Sequence, residues 1–280
     1  MWEAWPSEPY IRLGSFGAVL AAMALWEALA LRRPPTVNRR LRWVNNLGLV
    51  VLNSALVRMV APLGAVGFAV GAETHGAGAL RTLSLPYWAS VVAAVVLFDL
   101  AIYLQHVMLH AVPAFWRLHM VHHADLDFDV TTGLRFHTLE IVLSLGIKAA
   151  VVLALGPPPA SVLIFEVLLN ATSMFNHGNV RMPPRLDRFL RWFLVTPDMH
   201  RVHHSTIAGE TNSNFGFNLP WWDFLLGTYR DQPAAGHEAM VIGLTHFRDE
   251  LQVDRLHRML TLPFVGAPGD YPIDRRGRGT

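Results

Sequence analysis

The chain has 280 residues, 52% of them hydrophobic and only 16% charged, with a mean hydropathy of +0.31 and a formal net charge of +2. That is too apolar and too weakly charged for an ordinary soluble domain, and no nucleic-acid partner is expected. The chain has no cysteine, which excludes disulfides, thiolate-held iron–sulfur clusters and a haem thiolate.

The first ten residues, MWEAWPSEPY, lack the basic start of a cleavable signal peptide. Residues 14–31 form an apolar run of helix length, closed by Arg32-Arg33-Pro34-Pro35. A second run covers 44–63, with Arg58 inside it. The Gly-rich stretch 64–84 reads as a loop or re-entrant piece, with His75 exposed among its glycines. Further runs follow at 87–110, 139–156 and 160–176, the last two separated by Pro157-Pro158-Pro159. About 20 apolar residues cross a hydrocarbon core of ~30 Å. Five such runs therefore predict an all-α integral membrane bundle rather than a large soluble core. Trp221-Trp222-Asp223-Phe224-Leu225-Leu226 mixes aromatics with aliphatics and reads as a segment lying on the bilayer surface. Residues 230–262 read as a polar cap with one helix at 248–260, and 263–280 as a disordered basic tail.

Arginine placement sets the expected orientation. Arg32, Arg33, Arg39, Arg40 and Arg42 follow the first run, and Arg181, Arg185, Arg188, Arg191 and Arg201 follow the fifth. The loops at 64–86 and 157–159 hold one arginine and none. Cytoplasmic loops carry the excess of basic residues. The N-terminus is then outside, and the C-terminus is cytoplasmic.

Ten of the fourteen histidines fall between residues 106 and 204. They read HVMLH (His106, His110), HMVHH (His119, His122, His123) and HRVHH (His200, His203, His204), with His137 and His177 between the clusters. Residues three or four apart share a helix face, so each cluster can aim two imidazoles at one metal. Imidazole suits zinc, copper, iron and nickel. The set exceeds the four positions of one tetrahedral site and implies two metals close together. All ten lie at the face assigned to the cytoplasm.

HxxxH, HxxHH and HxxHH in this order resemble the sterol desaturase / fatty acid hydroxylase superfamily of membrane di-iron enzymes, in a bacterial form. RFHTLE (Arg135–Glu140), FNHGNV (Phe175–Val180), TPDMHRVHH (Thr196–His204), NSNFGFNLPWWDFLLGTY (Asn212–Tyr229) and GHEAMVIGL (Gly236–Leu244) resemble further segments of that family. The apolar runs give N-terminal membrane helices and a loop at 1–86, and the resemblance implies a hydroxylase-like catalytic domain at 87–262. It implies an O2-dependent oxidoreductase that hydroxylates or desaturates a lipid C–H bond with two iron ions, and zinc can replace iron in purified protein. The expected setting is a bacterial inner membrane. With no iron–sulfur cluster of its own, the chain needs an external electron-donor protein. Some members carry a histidine four residues before the His177 position, where this chain has Ser173. His137 is the expected replacement, which makes ten ligands.

Ligating imidazoles need partners for their second ring nitrogen. Asp125, Glu140, Asn179, Asp198 and Asn214 are candidates. Asp99, Tyr103, His106 and His110 share the offsets 0, 4, 7 and 11 with Glu166, Asn170, Ser173 and His177. These are two polar stripes expected to point into the bundle below the metals. Lys148 and Glu166, at similar depth on either side of the proline turn, are expected to form an ion pair, with Arg58 as the alternative cation. The competing functions are a metal transporter and a zinc-dependent membrane hydrolase. A transporter would string ionisable residues along a midplane path, and the hydrolase would need a carboxylate base as in HExxH, which is absent.

Overall fold

A computed structural model describes residues 8–265 and 268–273. The apolar runs become helices, because in hydrocarbon every backbone polar group must be bonded inside its own segment. α1 (Glu8–Leu29), α2 (Arg39–Val60), α3 (Gly64–Thr74), the short α4 (Ala79–Thr82) and α5 (Tyr87–Ala111) come first. α6 (Pro113–His123) follows, then the hairpin of α7 (Thr138–Leu155) and α8 (Pro159–Asn176). Short helices complete the chain: α9 (Pro184–Leu190), α10 (Pro197–His203), α11 (Ala208–Thr211), α12 (Trp221–Leu226), α13 (Gly236–Ala239), α14 (Glu250–Val253) and α15 (Leu256–Thr261). Among the described residues there is no β-strand, only isolated bridges such as Leu31 with Val180.

Four stretches of the described residues are long and apolar enough to cross a membrane: Glu8–Leu29, Arg39–Thr74, Tyr87–Ala111 and Thr138–Leu155. Their outer faces expose large apolar side chains, among them Leu25, Val51, Met59, Trp88 and Leu153. The fifth run, α8, is not one of the four. Glu166, Asn170 and Ser173 interrupt it, and it packs against α1, α3 and α5. The glycine-rich stretch is also more ordered than its composition suggests. Its small residues Ala65, Ala69 and Ala72 let α3 pack closely on α7 and α8.

The α7–α8 hairpin turns at Gly156, whose φ of +57° is left-handed and suits glycine. A side chain there would also meet the Ala77 carbonyl. Lys148 Nζ lies 2.6 Å from Glu166 Oε1 across the hairpin, as expected. Arg12 Nη2 of α1 reaches the other carboxylate oxygen at 2.7 Å. Arg58 instead bonds the Pro62 carbonyl.

The expected helix at 248–260 is two helices, α14 and α15. It breaks where Asp254 turns to Arg135 (2.8 Å) and where the Leu256 N–H donates to Asn45 Oδ1. The stretch expected to be a disordered tail is packed where it is described. Leu262–Phe264 is a 3-10 turn, and buried Tyr271 stacks on Trp116 at 5.6 Å. Residues 266–267 and 274–280 of that expectation lie outside the described residues.

Candidate metal centre

The C-terminal ends of α5 and α8 and the whole of α6 and α10 bring the histidines to one end of the bundle. His106 and His110 close α5, His119, His122 and His123 close α6, and His177 caps α8. His200 and His203 lie on α10, with His204 at its end. α10 starts cleanly because the Thr196 side chain accepts the Met199 N–H and Pro197 takes the first helical position. All nine side chains are buried.

They form two groups, each with its ligand atoms within 4.8 Å of one another. The first holds His106, His110, His119, His123 and His203, and the second His122, His177, His200 and His204. Neither group contains a carboxylate. Within the first, His106 Nε2 lies 3.0 Å from His119 Nε2 and 3.0 Å from His203 Nε2. Within the second, His177 Nε2 lies 3.1 Å from both His122 Nε2 and His200 Nε2, and 3.2 Å from His204 Nε2.

The tautomers decide what these contacts mean. His106 Nδ1 faces the Phe215 carbonyl and His203 Nδ1 the Ser213 carbonyl, at 2.8 and 2.7 Å. His119 Nδ1 faces Glu140 Oε1 at 2.8 Å, and His177 Nδ1 the Ser173 carbonyl at 2.7 Å. Those oxygens can only accept, so each Nδ1 carries the hydrogen and each Nε2 presents a lone pair. The converging Nε2 atoms are then acceptor against acceptor, an arrangement that a cation between them stabilises. With metal–nitrogen bonds of roughly 2.0–2.1 Å, two imidazoles at right angles around one ion sit about 3 Å apart, as found here. Burial, with the neighbouring imidazoles adding to it, holds His122, His123, His200, His203 and His204 well below the ordinary imidazole range. They are neutral at pH 7, the form that ligates. His110 Nε2 and His123 Nε2 are buried without a hydrogen-bond partner, which fits nitrogens that ligate a metal. The residues fit a pair of metals.

Residues 91–228 match the family described as "Fatty acid hydroxylase". Over this stretch the chain resembles a fatty acid hydroxylase domain. It is similar to the ornithine lipid hydroxylase OlsE of Rhizobium tropici, 28% identical over 77% of this chain and 66% of that protein. It is also similar to human alkylglycerol monooxygenase, 29% identical over 53% of this chain and 31% of that protein. Human cholesterol 25-hydroxylase is 30% identical over 48% of each chain. The chain thus spans about two thirds of the first relative and about a third of the second. No solved structure matches.

The structure places the other candidates at the edge of the two groups or outside them. His137 is in neither group. Its Nδ1 accepts the Leu139 N–H as the N-cap of α7, and its Nε2 faces the Leu260 carbonyl, so the expected tenth ligand is a helix cap. Glu140 bonds a ligand imidazole directly. Asp198 instead pairs with Arg201 and Arg32. Asn179 bonds the backbone of Arg33, and Asn214 ties the Met199 and Arg230 carbonyls. Asp125 accepts two bonds from buried Arg42, at 2.6 and 2.8 Å. In the α5 stripe, Asp99 accepts from Trp222 Nε1, and Tyr103 bonds Thr228. In the α8 stripe, Asn170 bonds the Glu166 carbonyl of its own helix, and Ser173 Oγ donates to the Gly133 carbonyl. Both stripes are therefore tied to protein partners.

Sequence reasoning picked out Asn212–Tyr229 as a family-like segment but missed that its first residues orient the first group. Within Asn212–Phe215, the Asn212 side chain accepts from His110 Nδ1 (3.0 Å), the Ser213 carbonyl from His203, and the Phe215 carbonyl from His106. Asp223 holds this ledge by accepting the Phe215 and Gly216 N–H groups, each at 2.8 Å. Two of these three acceptors are backbone carbonyls and carry no residue signature. Arg42 and Arg135 were also missed as scaffold. Arg42 joins Asp125 to Asp129, and Arg135 joins the Val121 carbonyl to Asp254. Between them they fix the loop from the HxxHH helix to α7.

Proposed function

We propose that this protein is an O2-dependent di-iron oxidoreductase that hydroxylates or desaturates a C–H bond of a membrane lipid. The observation that carries the reading is the convergence of nine buried imidazoles into adjacent groups of five and four at the end of an apolar bundle. Two irons bound there would supply the O2-derived oxidant needed for an unactivated C–H bond. The nine histidines would hold them, with zinc as the substitute in purified protein. The similar proteins named above are a lipid hydroxylase, a monooxygenase of alkylglycerols and a hydroxylase of cholesterol, which supports a lipid as substrate.

The chain's own residues would supply orientation and a dry site. Glu140, the ledge carbonyls and Asn212 would fix the ring tautomers of His106, His110, His119 and His203. Phe128, Phe136, Phe215 and Phe217 pack around the imidazoles and would exclude water. The exposed outer faces of the bundle would meet lipid. The arginine asymmetry supports a cytoplasmic metal face in a bacterial inner membrane. There a separate donor protein would deliver electrons.

Neither ligand group contains a carboxylate, which disfavours a zinc hydrolase, and both sit at helix ends rather than along a midplane path, which disfavours a transporter. The test pairs metal analysis with lipid profiling. Purified protein should hold two metals per chain and take up O2 only when loaded with iron. A deletion strain should lose an oxidised lipid that wild-type protein restores and the His203→Ala variant does not. Full complementation by His203→Ala would overturn the reading.

A further inference from the structure

The chain beyond the family match contributes to the first metal position. Pro268–Ile273 lies across the end of α5 as a strap. The Pro268 carbonyl accepts from Trp116 Nε1 at 2.9 Å. The Tyr271 ring stacks on Trp116, whose other neighbours are His110 at 4.8 Å and His123 at 5.2 Å between ring centroids. The Tyr271 hydroxyl donates to the Thr206 carbonyl and accepts the Thr245 N–H. Two bonds reach His110 more directly. The Ile273 N–H donates to the His110 carbonyl at 2.9 Å, capping one of the free carbonyls at the end of α5. The Tyr271 carbonyl accepts from Asn212 Nδ2 at 2.7 Å, while Oδ1 of the same amide accepts from His110 Nδ1 at 3.0 Å.

That amide has one usable orientation. The Tyr271 carbonyl can only accept, so it demands the NH2 side of Asn212 and leaves the oxygen for His110. An imidazole that gives its Nδ1 hydrogen to this oxygen presents its Nε2 lone pair to the ligand group. We propose that the strap and Asn212 are positioning elements for the first metal position, acting through the tautomer and placement of His110. The inference rests on the two-metal reading above. Partners of this kind change metal affinity by roughly 10–100-fold.

The test uses purified full-length protein loaded with zinc or iron, with metal per chain and the rate of removal by a chelator as readouts. Wild type should hold two metals. Asn212→Leu removes both bonds, and Asn212→Asp keeps the acceptor for His110 while losing the donor to Tyr271. Tyr271→Ala removes the stack and the hydroxyl, and Tyr271→Phe keeps the stack. Asn212→Leu, Asn212→Asp and Tyr271→Ala should each lose one metal of the two at least ten times faster than wild type, with the second retained. Tyr271→Phe should stay close to wild type. Unchanged removal in Asn212→Leu and Tyr271→Ala would overturn the proposal. So would loss of both metals together in Tyr271→Ala with normal retention in Asn212→Leu, which would assign the strap to folding. Wild type holding no metal would instead defeat the two-metal reading, and this inference with it.

Discussion

A buried imidazole depends on the partner of its second nitrogen as much as on what it ligates. Glu140 is the clearest case, because it gives His119 a charged acceptor at 2.8 Å inside the protein. Glu140→Gln keeps the shape and loses the charge, and it should weaken metal retention by about tenfold, with Glu140→Ala nearer 100-fold. Chelator competition on purified variants measures both. His137→Ala should behave differently. It removes a helix cap worth about 1 kcal/mol, so it should lower the melting temperature slightly and leave two metals in place. Loss of a metal in that variant would return His137 to the ligand set. At this scale the sequence was informative wherever function lies in a side chain at helical spacing. HxxxH and the two HxxHH clusters gave eight of the nine grouped histidines, and FNHGNV added His177. It was silent on Ser213 and Phe215, whose carbonyls do the orienting. His137 entered only as the replacement for a histidine absent at Ser173, and the sequence does not show that it caps a helix instead.

At the scale of helices, α8 links the metal end to the rest of the bundle. Glu166 meets Lys148 of α7 and Arg12 of α1 with both its oxygens. Glu166→Leu strands Lys148 and leaves Arg12 only its pair with Glu8 at 2.9 Å, which should cost about 2 kcal/mol, below the range for a fully buried stranded charge because both cations are partly exposed. Lys148→Met should cost less, because Arg12 still neutralises the carboxylate. Thermal stability of Glu166→Leu, Lys148→Met and the double variant tests this, and strictly additive effects would show that no coupling exists. Gly133 gives a second expectation. A Cβ there would meet the Ser173 carbonyl, the acceptor for His177 Nδ1. Gly133→Ala should push α8 away and reduce metal content, whereas Gly146→Ala, with open space around it, should not. The pairing of Lys148 with Glu166 was legible because both charges interrupt apolar runs at matching depth from a proline turn. Arg12 was not, because nothing in the sequence shows that α1 lies beside α8. α3 was hidden for a related reason: small residues that look like loop composition also suit close helix packing.

Considered as a whole, the molecule packs α1 on α8, α2 on α7 and α5 on α6, α7 and α8 so that helix ends meet at the histidines. Arg181 N donates to the Ala30 carbonyl, and Arg42 reaches Asp125 and Asp129, so the arginine-rich loops lie at that same end. A reporter fused at residue 75 should therefore fall on the side of the membrane opposite one fused after residue 204, and the same side for both would reject the topology. Fold class and the histidine-bearing end were legible because they follow from apolar length and histidine spacing. The count of membrane-length helices was not, because α8 is sheltered by protein and tolerates polar residues. The first group joins His106 to His203, so it cannot close until nearly a hundred further residues have been made. Once closed, each of its five imidazoles is at most 1% exposed. An ion must therefore arrive during synthesis, or the finished chain must open again to admit it. Cells starved of iron during expression, then resupplied with translation blocked, should yield protein that stays metal-poor for as long as the folded state rarely opens. Rapid refilling under those conditions would mean that the shell opens readily in the mature protein.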